Sequence, residues 1–214
     1  MPSIRSVALT TPDATAAWTA IVLTGGSGTR LGGQGKAGIL LGDATLLDHV
    51  LHGLPTTVSV IVVGPEPIAP ARPVIVTRES PAGGGPVAAL AAGLDLVTTP
   101  IVGVIATDMP FAGSTLSTLA GRIPSDADAL VPIDADGHRQ PLCAVYRSTA
   151  LRRALQELET VEHASMRRLL EHLAVAESTA AAPVALHDID TPSDLDRSQA
   201  IMLQTKGTSS WMTG

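Results

Sequence analysis

The chain has 214 residues, of which 45% are hydrophobic, 16% are charged and only 2% are aromatic, and its formal net charge is −6. This length and composition predict one globular α/β domain with an aliphatic core and exclude a disordered chain. An acidic chain with so few aromatic residues lacks the basic face and the stacking side chains of a general nucleic-acid-binding protein. We therefore expect no nucleic-acid partner.

The single cysteine, Cys143, excludes an internal disulfide and is typical of a reducing compartment. It stands between apolar neighbours, so we interpret it as a small core residue and not as a nucleophile. No apolar run reaches the length of about 18 residues that a membrane span needs. These features predict a cytoplasmic protein with no membrane partner.

Strands and helices are predicted to alternate along the chain. The apolar pattern predicts strands at 18–23, 58–63, 73–77, 101–106, 129–133, 142–146 and 183–187. It predicts helices at 45–54, 87–97, 114–122, 148–158, 165–173 and 192–202, and a turn at Asp136-Gly137. This order is typical of a three-layer, Rossmann-like α/β fold with a mostly parallel sheet and helices on both faces. We expect one domain at 18–203, between flexible segments at 1–17 and 204–214.

A glycine-rich segment follows the first predicted strand directly. From Leu23 to Lys36 the sequence reads LTGGSGTRLGGQGK, in which Arg30 and Lys36 are the only charged residues. Glycines let the backbone approach a phosphate and turn its N–H groups inward. Two cations without a carboxylate suit a polyphosphate. We therefore favour a loop that binds nucleotide phosphates over the alternative, a flexible surface loop.

Two better-known phosphate loops do not fit this segment. A Walker loop needs Ser or Thr directly after Gly-Lys, and Ala37 stands there. A dinucleotide fingerprint needs a helix that opens on G-x-G-x-x-G, but the glycines continue to Gly35 before any predicted helix. A Rossmann oxidoreductase is therefore a distant alternative.

The pattern L-x-G-G-x-G-x-R-L-G-G-x-x-K resembles the signature of nucleotidyltransferases that make activated sugars, isoprenoid precursors and molybdenum cofactors. Four later segments resemble motifs of the molybdenum cofactor guanylyltransferase family, namely 81–90 (PAGGGPVAAL), 106–111 (ATDMPF), 138–146 (HRQPLCAVY) and 188–195 (DIDTPSDL). The likeness runs in order from Ala20 to Ser198. One departure is clear, because Gly35 stands where the family usually has aspartate before the loop lysine.

This resemblance implies a nucleotidyltransferase fold and an enzyme that transfers GMP from GTP to the phosphate of the molybdenum-molybdopterin cofactor. It implies Mg²⁺ as cofactor, held by Asp108, and molybdenum cofactor assembly proteins or target enzymes as transient partners. The implied catalytic residues are Arg30, Lys36 and Asp108. The implied nucleotide-binding residues are Leu23, Thr24, Gly25, Gly26, Lys36, Glu79, Pro86 and Asp108.

The residue types add independent support at two of these positions. Asp108 follows a predicted buried strand, at the edge of an open α/β sheet where ligands bind, and Mg²⁺ needs only one or two carboxylates beside phosphate and water. The alternative is a cap for the helix that begins near Gly113, which is a long reach. The carboxylate of Glu79 matches the adjacent N1–H and N2–H₂ donors of guanine, or it is a solvated loop charge.

The closing motif and Arg139 suggest an acceptor site. Asp188 and Asp190 share a face if the backbone is extended. They could complete a metal site or orient the acceptor. Asp190 is a candidate acceptor-binding residue or a part of the helix start, whereas Asp188 is better explained by structure. Thr191 to Asp194 predicts a helix start with a capping box. Arg139 is a candidate anchor for the acceptor phosphate, or a plain surface arginine.

Two other classes of function stay open on the sequence alone. One is a sister enzyme, either a cytidylyltransferase for the molybdenum cofactor or a guanylyltransferase for another small phosphate. The other is a non-catalytic nucleotide-binding partner in cofactor assembly, for which Gly35 is the only hint.

Overall fold

The computed structural model describes residues 17–25, 35–65, 70–179 and 186–209. Its strands are β1 (Trp18–Leu23), β2 (Leu40–Leu41), β3 (Ala44–Thr45), β4 (Ser59–Val63), β5 (Ile75–Thr77), β6 (Ile101–Ala106), β7 (Ala129–Ile133), β8 (Cys143–Arg147) and β9 (Val175–Thr179). Seven of them form one sheet in the order β5-β4-β1-β6-β8-β7-β9, and β2 and β3 form a separate pair. Only β8 runs antiparallel to its neighbours in the large sheet, which confirms the mostly parallel sheet.

Six α-helices connect these strands in the described part of the chain. They are α1 (Leu46–Gly53), α2 (Pro86–Leu94), α3 (Gly113–Leu119), α4 (Ser148–Gln156), α5 (Met166–Leu170) and α6 (Pro192–Ser209). None of these described helices is both long and apolar enough to cross a lipid bilayer. The bounds of these six helices confirm the helices predicted from the sequence, with ends that differ by a few residues.

Alternate residues of the central strands face opposite helical layers. Ile21 and Leu23 of β1 pack in one buried cluster with apolar residues of α2, α4 and α5. Ala20 and Val22 of the same strand pack in a second cluster with α1 and α3. Because successive side chains of a strand point to opposite faces, a continuous apolar run indicates burial on both sides. The three-layer fold is confirmed.

The C-terminal third departs from the prediction in two places. The strand predicted at 183–187 is wrong at its described end, since Leu186 and His187 lie outside any strand, and residues 183–185 lie outside the described residues. The last strand is β9, which pairs only with β7 at the edge of the sheet. The last helix, α6, continues beyond the predicted end at 202 to Ser209 and so enters the segment expected to be a flexible tail.

Cys143 lies in the core, as predicted. Its side chain is fully buried, and its Sγ lies 4.0 Å from the carbonyl oxygen of Ala112. Burial raises the pKa of the thiol to about 12. The thiol therefore stays protonated at neutral pH, and a nucleophilic role is excluded.

The start of α6 is a capping box, as the segment from Thr191 to Asp194 predicts. Asp194 Oδ2 accepts hydrogen bonds from the N–H and the hydroxyl of Thr191, at 2.9 and 2.6 Å. The N–H of Asp194 donates in return to Thr191 Oγ1 at 3.3 Å. The hydrogen bond from the Thr191 hydroxyl is the main cause that lowers the pKa of the Asp194 carboxyl below its ordinary value.

We expect Asp194→Ala to lower the free energy of unfolding by about 1 kcal/mol at neutral pH, because the N–H groups of Asp190 and Thr191, just before α6, lose their carboxylate acceptor. A carboxyl whose pKa is lowered by folding stabilises the native state above its unfolded pKa, about 3.9, and that contribution is lost as the pH falls through the native pKa. The difference between the two proteins should therefore shrink towards about pH 3.5 in urea titrations. Asp196→Ala, exposed on the same helix, is the matched control, and an equal loss in both variants would contradict the expectation.

Candidate functional site

The carboxyl ends of the parallel strands bring the predicted site residues to one edge of the sheet. Thr24 and Gly25 follow β1, Glu79 follows β5 and Asp108 follows β6. Strand β8 is antiparallel to β6, so the segment 140–142 before β8 lies at the same edge. Ligands of open α/β sheets bind at this edge. The strand order also sets the spatial order of these residues along the edge, with Glu79 towards one side, Asp108 in the middle and 140–142 towards the other.

Lys36 forms the centre of a charged cluster at this edge. Its Nζ donates a hydrogen bond to Asp108 Oδ2 at 2.8 Å and a second one to Asp190 Oδ1. Only 12% of the Lys36 side chain is exposed, against 23% for Asp108 and 49% for Asp190. The fold thus joins the glycine-rich segment, the end of β6 and the closing motif through one ammonium group.

The carboxylates outnumber the cation in this cluster. Burial is the main cause that raises the pKa of the Asp108 carboxyl, the negative charges of Asp190 and Asp188 raise it further, and Lys36 opposes them. Burial by itself would lower the pKa of Lys36, but the hydrogen bonds and charges of Asp108 and Asp190 outweigh it and raise that pKa. Lys36 is therefore charged at neutral pH, and the cluster retains capacity for another cation.

The alternative role of Asp108 as a helix cap is wrong. Helix α3 begins at Gly113, its N-cap is Ala112, and no side chain caps it. The Asp108 carboxylate contacts Lys36 instead, and the Asp108 carbonyl accepts a hydrogen bond from the N–H of Ile189 at 2.8 Å. That backbone bond holds the closing motif beside Asp108, with Asp188 and Asp190 on either side of it.

A cavity of about 460 Å³ opens beside Asp108. Its walls come from the end of β6, from 140–142, from the α4–α5 connection at 163–166, and from Pro86 and Asp188. The sequence suggested a structural role for Asp188, whereas the structure places it in this wall. A volume of this size accommodates a small organic molecule.

The wall at 140–142 is held from several sides. The fully buried Tyr146 donates its hydroxyl hydrogen bond to the carbonyl of Pro141 at 2.7 Å. Gln140 Nε2 donates to Asp134 Oδ2 at 2.7 Å, and the carbonyl of Leu142 accepts from the N–H of Ala106 at 2.9 Å. The cavity is thus preformed on this side.

Arg139 does not line the cavity, although its neighbours Gln140 and Pro141 do. Its Nε donates to Glu177 Oε1 on β9 at 2.7 Å. This ion pair links the turn after β7 to the edge strand. The predicted acceptor segment is therefore at the site, but Arg139 is used in a structural contact.

The glycine-proline loop presents one carboxylate oxygen without a partner. Glu79 Oε1 accepts a hydrogen bond from the N–H of Gly83 at 3.0 Å. Glu79 Oε2 is shielded from solvent and has no hydrogen-bond partner among the described residues. Gly83 and Gly85 have φ values of +80° and +89°, which only glycine adopts readily, and Pro86 begins α2 directly after them. Glu79 is thus unlike a freely solvated loop charge.

The residues after β1 are ordered by backbone contacts. The Thr24 hydroxyl is buried and donates to the carbonyl of Val63 at 3.0 Å. A Cβ at Gly64 would lie 1.7 Å from that hydroxyl oxygen, so this close approach requires glycine. The N–H of Thr24 donates to the same carbonyl at 2.9 Å, so both hydrogen-bond donors of this residue are used within the protein.

Two of the predicted residues, Gly26 and Arg30, lie outside the described residues. Gly35 lies inside them, with a φ of −53°. No described atom lies within 4 Å of a Cβ built on it. Among the described residues, none therefore excludes an aspartate at this position.

A second acidic cluster lies on the turn between β7 and β8. Possible ligand atoms of Asp134, Asp136 and His138 lie within 4.8 Å of one another. Asp134 Oδ1 already accepts hydrogen bonds from the N–H groups of Asp136 and His138, and Gly137 has a φ of +82°. These contacts build the turn predicted at Asp136-Gly137, so we assign the cluster to structure.

Comparisons with known proteins agree with this geometry. Residues 20–180 match the family described as the MobA-like NTP transferase domain. A probable molybdenum cofactor guanylyltransferase of Natronomonas pharaonis is 29% identical over 196 residues, which cover 85% of this chain and 96% of the relative. One of Bacillus cereus is 30% identical over 158 residues, covering 70% and 78%.

Solved structures show the same fold. Molybdopterin-guanine dinucleotide biosynthesis protein A of Archaeoglobus fulgidus superposes with a TM-score of 0.62 at 24% identity, over 87% of this chain and 99% of its own. A nucleotidyl transferase of Methanothermobacter superposes with a TM-score of 0.69 at 19% identity, over 88% and 99%. The three-layer domain, a sheet with helices on both faces, therefore has the nucleotidyltransferase fold that the sequence predicts.

Proposed function

We infer the function of this chain from the family to which it belongs, the MobA-like NTP transferases, and propose that it transfers GMP from GTP to the phosphate of a molybdopterin-type cofactor. The observation that carries this proposal is the cluster of Lys36, Asp108 and Asp190 at the carboxyl edge of the sheet. It supplies one ammonium for phosphate and carboxylates for a divalent cation. Curated relatives over most of the chain bear the guanylyltransferase name.

The donor set at this edge fits Mg²⁺. Asp108, Asp188 and Asp190 provide carboxylate oxygens, which Mg²⁺ prefers, and among the described residues only the Lys36 ammonium pairs with them. Asp108 would hold the ion, since it is the most buried of the paired acids and lies between the two sides of the edge. A bound Mg²⁺ neutralises phosphate charge and orients the triphosphate.

The proposed reaction is a direct displacement at phosphorus. An anionic oxygen of the acceptor phosphate forms a bond to the α-phosphorus of GTP, and the bond from that phosphorus to the bridging oxygen of pyrophosphate breaks. The attacking oxygen is already anionic, so no side chain needs to remove a proton. Lys36 holds phosphate oxygens as a fixed positive charge, and Arg30 is proposed to stabilise the leaving pyrophosphate. Catalysis then rests on positioning and charge neutralisation.

The strand order supports an assignment of the two substrates to opposite sides of Asp108. Glu79 lies towards β5, and its free Oε2 can accept from the adjacent N1–H and N2–H₂ groups of guanine. The cavity lies on the β8 side of Asp108 and suits the acceptor. Asp188 lines this cavity, and Asp190 follows two residues later in the closing motif. In this arrangement Asp108 stands where the α-phosphorus and the attacking oxygen meet.

The test is thermal stabilisation of the purified protein by GTP, CTP, ATP, UTP and NAD, each with and without Mg²⁺. A ligand at about 100 times its Kd adds roughly 2.7 kcal/mol of stability, which is readily measured. A Mg²⁺-dependent shift selective for GTP, followed by pyrophosphate release with molybdopterin, is the expected result. A CTP preference would assign the sister cytidylyltransferase, and a nucleotide shift without pyrophosphate release would favour the non-catalytic nucleotide-binding partner. No shift with any nucleotide would contradict the proposal.

A further inference from the structure

His163 stands out in the cavity wall by its backbone conformation. It is the only residue other than glycine in the described ranges with a positive φ, at 57°. Left-handed backbone is unfavourable for residues with a side chain, and where it persists the surroundings must hold it. Here the N–H of His163 donates a hydrogen bond to the carbonyl of Gly84 at 2.6 Å. The α4–α5 connection is thereby fixed to the glycine-proline loop.

The side chain of His163 is also chemically distinct within the cavity. Among the described residues that line it, His163 alone can carry a positive charge, while Asp108 and Asp188 are acidic. The imidazole is 74% exposed, and its Nε2 lies 3.7 Å from Glu162 Oε1. It is therefore accessible to a ligand and is not committed to the protein core. No sequence motif selects this residue.

We propose that His163 is a specificity-determining residue that contacts the phosphorylated acceptor through its imidazole. This inference rests on the proposed function, because it presupposes an anionic acceptor in the cavity. The ring nitrogens supply hydrogen bonds to the acceptor's polar groups, in a wall whose other described polar side chains are neutral (Gln140 and Ser165) or acidic (Asp108 and Asp188). The bond to Gly84 fixes the backbone of His163, from which the ring projects, relative to the loop that leads into Pro86 and α2. The binding of GTP, on the other side of Asp108, does not depend on this ring.

Two variants separate the ring from the backbone. His163→Asn and His163→Gly both remove the imidazole, and both residue types tolerate a positive φ, so each can keep the bond to Gly84. A purely structural role predicts that both variants behave as the wild type. The matched control is His138→Asn, which changes a histidine with a 78% exposed side chain on the β7–β8 turn, outside the cavity wall.

The experiment measures the Kd of molybdopterin by pterin fluorescence anisotropy, with the protein saturated by Mg²⁺ and α,β-methylene-GTP, which cannot transfer. We expect the Kd to rise about tenfold in both His163 variants, as for the loss of a hydrogen bond to a charged group, and to be unchanged in His138→Asn. The thermal shift caused by the GTP analogue should be the same in all four proteins. KM for molybdopterin in turnover should rise in parallel, with KM for GTP unchanged.

Other results would overturn the inference in distinguishable ways. Molybdopterin binding within about twofold of the wild type in either His163 variant would show that the ring makes no contact with the acceptor. An equal weakening in His138→Asn would show a non-specific effect. A wild-type protein that binds the GTP analogue but not molybdopterin would remove the proposed acceptor itself, and with it the inference.

Discussion

Replacement of Asp108 by asparagine should lower kcat about a hundredfold or more, which corresponds to a rise of roughly 2.7 kcal/mol in the barrier. The carboxylate is the proposed Mg²⁺ ligand, and a neutral amide of the same shape removes the charge that holds the cation. The measurement is pyrophosphate release with saturating GTP, Mg²⁺ and molybdopterin. Asp196→Asn, on the exposed face of α6, should have wild-type activity.

The Asp108→Asn variant should be at least as stable as the wild type in the absence of ligand. Folding raises the pKa of the Asp108 carboxyl, so the native state binds its proton more tightly than the unfolded chain does. The ionised Asp108 carboxylate therefore lowers the free energy of unfolding. This loss grows as the pH rises from about 4 through the raised pKa, and it is absent when asparagine replaces Asp108. Near wild-type turnover in Asp108→Asn, or a large fall in its Tm without ligand, would contradict the role given to this residue.

Lys36→Met should also cost about a hundredfold or more in kcat, because the triphosphate loses its fixed positive charge inside a site of low exposure. Methionine keeps much of the apolar stem, so the variant tests the charge and not the packing. Stability should fall at neutral pH, since the carboxylates of Asp108 and Asp190 then face each other without a counter-charge. Protonation relieves this repulsion, so the deficit should shrink as the pH is lowered.

Initial rates of pyrophosphate release and urea titrations at about pH 5 and pH 8 measure both effects. Arg153→Met is the matched control. Arg153 lies on α4, 57% of its side chain is exposed, and it forms an ion pair with Asp128 at 3.1 Å. An exposed ion pair contributes little, about 0–1 kcal/mol. Wild-type turnover in Lys36→Met, or a stability deficit that grows at low pH, would show that the cluster acts differently.

Much of the fold follows from local patterns. The apolar runs at β1, β4 and β6 predicted strands, and the structure places these strands next to one another in the sheet. Strand β9 was missed because an edge strand is buried on fewer sides, and the last three residues of its sequence VAEST are polar. The strand predicted at 183–187 was the competing apolar segment nearby.

The sequence by itself determined most of the elements, the family and the position of Asp108 at a strand end, because periodicity and ordered motifs are local properties of the chain. Only the tertiary structure decided which side chains meet. Lys36 and Asp190 are in contact although they are 154 residues apart in the chain. Arg139 forms an ion pair with Glu177, and a backbone hydrogen bond to Gly84 holds His163 at the cavity. Such contacts depend on strand order and on the geometry of the crossovers. Those are set by packing of the whole domain, and no local pattern encodes them.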